Sequence, residues 1–240
     1  MSLDGKRVLV IGGGSGIGLA VAQGAARAGA AVTVASTNLD KVKSAAAALG
    51  GEAGALDVTD EAAVAAFFAS VPSFDHIVTT AGDWGQIRGV PVADVDLAAA
   101  AGVFKVRFWG ALAVAKHGGP RLPAGGSLTL TDGMIAHRPS KGSAVSTAMA
   151  GAIEHLTRAL AVELAPARVN CVCPGLIRTG VWDSIPDDRR EATFERMTSR
   201  QLVPRIGEPD EAAAAYLFLM TSGYTTGQVI QVEGGVALGG

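Results

Sequence analysis

The chain has 240 residues, 49% apolar and 18% charged, with a formal net charge of −2. That balance excludes a disordered chain, and no basic stretch is dense enough for nucleic acid, since Arg189 and Arg190 stand beside Asp187 and Asp188. No apolar run reads as long enough to span a membrane. Val8–Ile11, preceded by Asp4 and followed by glycines, does not read as a signal peptide, so a cytoplasmic protein is expected.

Apolar, β-branched segments alternate with alanine-rich helical ones. Val8–Ile11 reads as a strand, Gly16–Ala28 as a helix ended by Gly29, and Ala31–Ala35 as a second strand. Leu39–Leu49 is a helix closed by Gly50 and Gly51, followed by strand Glu52–Leu56 and the acid-started helix Asp60–Ser70. His76–Thr79 is a strand, and Asp94–His117 one long helix with a break expected near Gly102. Ser127–Thr131 is a strand, Val145–Leu164 a helix stopped by Pro166, and Val169–Val172 another strand. Helices Arg189–Arg200 and Asp210–Met220 and a last strand, Gln228–Val232, complete the chain. Such alternation predicts a parallel sheet covered on both faces. The expectation is a single doubly wound α/β domain over residues 1–240, a Rossmann fold with seven parallel strands.

Gly12-Gly13-Gly14-Ser15-Gly16-Ile17-Gly18 follows the first strand and opens a helix. Glycines let a pyrophosphate approach the backbone, and the helix N-terminus offers N–H donors and a favourable dipole. Cys171 and Cys173 read as core residues of a buried strand. Two sulfurs do not complete a zinc site, and no Cys or His cluster supplies the rest, so no metal is expected.

Several motifs give these features a family context. Gly12-x-x-x-Gly16-Ile17-Gly18, Asp57-Val58, Thr79-Thr80-Ala81-Gly82, Pro174-Gly175-Leu176-Ile177-Arg178-Thr179 and Val232-Glu233-Gly234-Gly235 occur in that order. With them the chain resembles the short-chain dehydrogenase/reductase family from residue 6 to 238, with threonines where the family has two asparagines. The resemblance implies a nicotinamide dinucleotide held by Gly12, Gly14, Ser15, Gly16, Ile17, Gly18, Asp57, Val58, Thr80, Ala81, Gly82, Pro174, Gly175, Ile177 and Thr179. It also implies a homodimer or homotetramer. The second strand ends at Ser36-Thr37-Asn38 without the acidic residue that bonds a ribose 2′-hydroxyl, which favours NADP(H) over NAD(H). These three side chains could meet a 2′-phosphate, and Lys41 could reach it; Asn38 reads equally as a helix N-cap.

The family's catalytic groups are missing. It uses a Tyr-x-x-x-Lys pair, a Ser and an Asn. A free phenol has a pKa of about 10, so the Tyr needs the nearby cation. Alignment on the helix segment Leu156–Leu164 puts Ser146 at the Tyr position and Ala150 at the Lys position. Gly133 falls at the Ser position and Arg107 at the Asn position. No Tyr-x-x-x-Lys occurs anywhere, since neither Tyr216 nor Tyr224 has a Lys four residues on. Asp132 and His137 are candidate substitutes, the Asp orienting the His, with Arg138, Ser140, Lys141 and Ser143 nearby. The competing reading makes Ala136–Ser143 a solvated loop. Asp83–Arg88, with Trp84, falls where relatives carry a substrate-side loop. Three functions follow: an NADP(H)-dependent oxidoreductase on a carbonyl or alcohol using non-standard groups; an inactive homologue acting as an NADP(H) sensor or scaffold; or a non-redox enzyme using the same pocket.

Overall fold

Alternate side chains of β1 (Arg7–Ile11) enter opposite apolar layers. Val8 and Val10 pack with α1 (Gly16–Arg27), α2 (Leu39–Leu49) and α8 (Pro209–Thr221). Leu9 and Ile11 pack with α3 (Glu61–Ser70), α5 (Ala111–Gly118) and α6 (Ala144–Glu163). A strand buried on both faces has no solvent side, which is why β1 reads as a continuous apolar run. The computed structural model describes residues 2–82 and 89–239; the expected substrate-side loop with Trp84 lies outside the described residues.

The other strands are β2 (Ala31–Ser36), β3 (Glu52–Ala55), β4 (His76–Thr79), β5 (Ser127–Thr131), β6 (Arg168–Pro174) and β7 (Val229–Val232). They form one sheet of order β3-β2-β1-β4-β5-β6-β7, with every pairing parallel. The expected seven-stranded, doubly wound fold is therefore the observed one. The strand order reverses between β1 and β4, which opens a crevice at the carboxyl ends of the strands, where such folds bind ligands.

The long fourth helix differs most from its expected form. It starts at Leu97, capped by Asp96, whose carboxylate accepts from the amides of Ala98 and Ala99. Its irregularity is not at Gly102: α4 (Leu97–Phe104) passes into a π-helical turn, Lys105–Gly110, before α5. Such turns insert a residue and re-aim the side chains they carry. The continuous stretch Leu97–Arg121 is also long and apolar enough, by length and composition, to cross a membrane, its most apolar 18 residues having a mean hydropathy of 1.5. That corrects the sequence expectation: Lys105 and Arg107 interrupt the run, but an average over the helix absorbs them. In the fold this stretch supplies Val103, Ala111, Val114 and Ala115 to the core.

Candidate active site

The crevice is a cleft of about 1100 Å³. Gly12, Gly14, Ser15, Gly16, Ile17 and Gly18 line its floor, and Ser36, Thr37 and Asn38 line one end. Asp57, Val58, Thr80, Ala81 and Gly82 follow, and Pro174, Gly175, Ile177 and Thr179 form the far wall. Every position that the resemblance assigns to the dinucleotide faces this one space.

The glycine loop has a steric reason. Gly12 has φ +88°, and a Cβ there would lie 2.6 Å from Thr80 Oγ1. Thr80 in turn donates from its amide to the Ile11 carbonyl at 2.8 Å and from its hydroxyl at 3.2 Å, tying the ends of β4 and β1 together. The N-cap of α1, Ser15, makes no side-chain capping bond. The first-turn amides are thus left uncapped by a side chain, the condition that suits an anion.

At the β2 end both readings of Asn38 describe part of the arrangement. Its Oδ1 accepts from the Lys41 amide at 3.0 Å, capping α2, and it lines the cleft. Ser36 Oγ accepts from the Asn38 amide at 3.1 Å and fixes the turn. Lys41 lines the same end, and among the described residues the turn after β2 contributes no carboxylate to the lining. Asp57 is exposed and accepts from the Thr59 hydroxyl and amide at 2.7 and 2.9 Å, which hold its carboxyl below the usual range.

The four positions aligned with the family's catalytic groups are not equivalent. Arg107 sits on the π-helical turn, buried at the cleft wall. Its Nη1 donates to the main-chain carbonyls of Asp132 at 3.1 Å and Thr131 at 3.4 Å. Its guanidinium lies against Gly82, where a Cβ would come within 2.3 Å of Nη2. Gly133 lines the cleft, as does Ser146, but the Ser146 hydroxyl donates to the Ser143 carbonyl at 3.1 Å. Ala150 is fully buried and does not line the cleft. Neither tyrosine substitutes. Tyr216 is buried in the core with its hydroxyl 2.8 Å from Thr131 Oγ1, and burial pushes its pKa up; Tyr224 is fully exposed.

Asp132, at the end of β5, lines the cleft and is only 1% exposed. Among the described residues its oxygens meet no strong donor, only the weakly donating Cys171 and Cys173 thiols and the Glu154 carboxyl. Burial, and then the Glu154 carboxyl, push its pKa up to about 7. His137 does not line the cleft, and Asp132 does not orient it: its Nε2 lies 2.5 Å from Glu154 Oε1. The solvated-loop reading holds for Lys141; the His137 ring is turned against buried Glu154, and Arg138, Ser140 and Ser143 face the cleft. The expectation that nothing accompanies the cysteines fails. Cys171 joins the apolar core, but Cys173 shares a cluster with Asp132, His137 and Glu154. Glu154 had a legible signal, because it lies on the buried stripe Ser146, Ala150, Ile153, Thr157 of α6, where an acid is out of place. Trp182, Met197 and Val236, which add apolar lining, carried no such signal.

Comparison with known proteins agrees with this geometry. A family model described as enoyl-(acyl carrier protein) reductase matches residues 12–237. The short-chain dehydrogenase/reductase malC of Malbranchea aurantiaca is 32% identical over 98% of this chain and 96% of its own length. The chain belongs to the short-chain dehydrogenase/reductase family. Among solved structures, a small-chain dehydrogenase in complex with NADPH is 36% identical, with a TM-score of 0.84, covering 98% of this chain and 100% of that one. The MalC reductase/Diels-Alderase from Malbranchea aurantiaca is 33% identical with a TM-score of 0.89, covering 97% and 96%.

Proposed function

We propose that this family member binds NADP(H) in the cleft and acts as an oxidoreductase on a carbonyl or alcohol group with non-standard acid–base groups. One observation carries the reading: a single cleft joins the glycine loop, a turn after β2 that contributes no carboxylate among the described residues, and Asp132 beside Gly133. The diphosphate would meet the amides of Gly12–Gly18, and a 2′-phosphate would meet Ser36, Thr37, Asn38 and Lys41. The nicotinamide supplies or takes the hydride. Pro174, Gly175, Ile177 and Thr179 would hold that ring, and Asp132, buried at the cleft wall beside Gly133, would serve as the acid–base group once its carboxyl is uncovered to the substrate oxygen. His137 lies behind it, outside the cleft, and would act only through Glu154. The NADPH complex of one relative and the reductase name of another support this assignment.

Exposed Leu97, Trp109 and Val162 on the helices of one face support a homodimer or homotetramer. The alternative, an inactive NADP(H) sensor or scaffold, draws on the replaced tetrad and on the Ser146 hydroxyl being engaged within its own turn.

Thermal shift with NADPH and NADH, followed by a carbonyl and alcohol panel, tests the proposal. Stabilisation greater with NADPH, and turnover lost in Asp132→Asn, are the expected results. Binding without turnover, with activity created by Gly133→Ser/Ser146→Tyr/Ala150→Lys, would establish the inactive homologue instead. Turnover without added cofactor would point to a non-redox use of the pocket.

A further inference from the structure

Four side chains from four segments converge behind the Gly133 corner. Asp132 comes from the end of β5, His137 from the turn after Met134–Ala136, Glu154 from α6 and Cys173 from β6. One potential ligand atom from each lies within 4.8 Å of the other three. Asp132 and Cys173 are essentially inaccessible, and the Glu154 side chain is 8% exposed. His137, at 30%, is the side open to solvent.

The charge arrangement asks for a cation. Two carboxyl groups are buried side by side, and among the described residues the Asp132 oxygens meet only weak thiol donors and the Glu154 carboxyl. Glu154 meets His137 at 2.5 Å and, more distantly, Arg158 at 3.8 Å. A buried acid without a strong donor is costly, and such groups are normally paired or bound to metal.

We propose that Asp132, His137, Glu154 and Cys173 form a binding site for a divalent cation of the zinc class. The donor set selects the metal: a thiolate and an imidazole suit zinc and disfavour magnesium and calcium, which take oxygen ligands. Zinc bonds of about 2.0–2.3 Å place ligand atoms roughly 3.5 Å apart in a tetrahedron, so the cluster would close by about an ångström at its widest while the short His137–Glu154 pair would open by about as much. His137, on a partly exposed turn, is the ligand with room to shift. Binding releases to solvent the Cys173 thiol proton and any proton held by Asp132 or between His137 and Glu154. Four protein ligands leave no open position, so the ion would tie β5, β6 and α6 together at the cleft wall. The site goes beyond the dinucleotide reading and does not depend on it; an ion bound here would take up Asp132 as a ligand, so the acid–base role of Asp132 belongs to the ion-free chain.

Cobalt(II) is the probe, titrated into the full chain after removal of metal by a chelator. One equivalent per chain should give intense visible bands of a tetrahedral site and a thiolate-to-cobalt charge-transfer band, both bleached by zinc. Cys173→Ser should abolish the charge-transfer band, and Cys171→Ser, which alters the neighbouring core thiol, should leave it. His137→Ala should weaken binding by at least roughly tenfold. Absence of the bands from the folded wild-type chain, their survival in Cys173→Ser, or their loss in Cys171→Ser would overturn the proposal. Should Cys173→Ser fail to fold by circular dichroism, the His137→Ala titration decides, and unchanged affinity there would overturn it too. Failure of NADPH to bind would leave these outcomes untouched.

Discussion

The two halves of the cleft are built by different means. On the β1–β4 side the site is mostly backbone, centred on the consecutive glycine loop Gly12–Gly18 at an uncapped helix end. On the β5–β6 side it is made of side chains from distant segments, with an arginine on a π-helical turn, a buried aspartate without a strong donor and a serine bonded within its own turn. The lesson is one of tolerance. A cradle of main-chain amides allows few substitutions because a Cβ has nowhere to go. A constellation of side chains can be replaced member by member while the sheet behind it stays closed.

The contrast can be broken most sharply at Gly12. Gly12→Val forces a β-branched residue to φ +88° and into Thr80 Oγ1. NADPH affinity should fall by about 100-fold or more, equivalent to roughly 3 kcal/mol, measured by nucleotide fluorescence with circular dichroism as the folding control. Binding within threefold of wild type would remove the glycine cradle from the argument.

A second test probes the seam between the halves. His76 of β4 is buried, with Nδ1 2.9 Å from Ser127 Oγ of β5. Burial, and then the positive charge of Arg168, lower its pKa from 6.5 to about 4. The folded state therefore resists a proton that the unfolded chain accepts. The associated stability is complete above about pH 6.5 and is lost as the pH falls toward 4, by an order of magnitude of about 3 kcal/mol. Chemical denaturation from pH 7 to 4 should show that loss, and His76→Gln should flatten the profile over the same interval.

The smallest expected effect is at the β2 end. Asn38→Ala removes the cap on the Lys41 amide and should cost about 1 kcal/mol of stability. If Asn38 also meets a 2′-phosphate, the variant should lose preference for NADPH over NADH; an unchanged ratio would confine Asn38 to capping.

The legible parts of the sequence share a physical cause. The limits of α2, β4 and β5 coincide with those read from periodicity and end signals, because Gly50 at φ +62° and an Asn cap act within a few residues of their own helix. The π-helical turn was not legible, because Gly102 offers a plausible break while the actual irregularity, three residues on, carries no glycine signal until Gly110. The partner of His137 was not legible either: Asp132 is nearer in sequence, but α6 brings Glu154 closer in space.

The sequence by itself determined the doubly wound sheet, the glycine loop and the absence of a Tyr-x-x-x-Lys pair, since each is written in local spacing and residue type. Only the tertiary structure decided that Arg107 would be turned against Gly82, that Ala150 would be sealed away from the cleft, and that Asp132, His137, Glu154 and Cys173 would meet. Those outcomes depend on how a helix and two strands pack across the chain, and packing is a property of the assembled core rather than of any one segment.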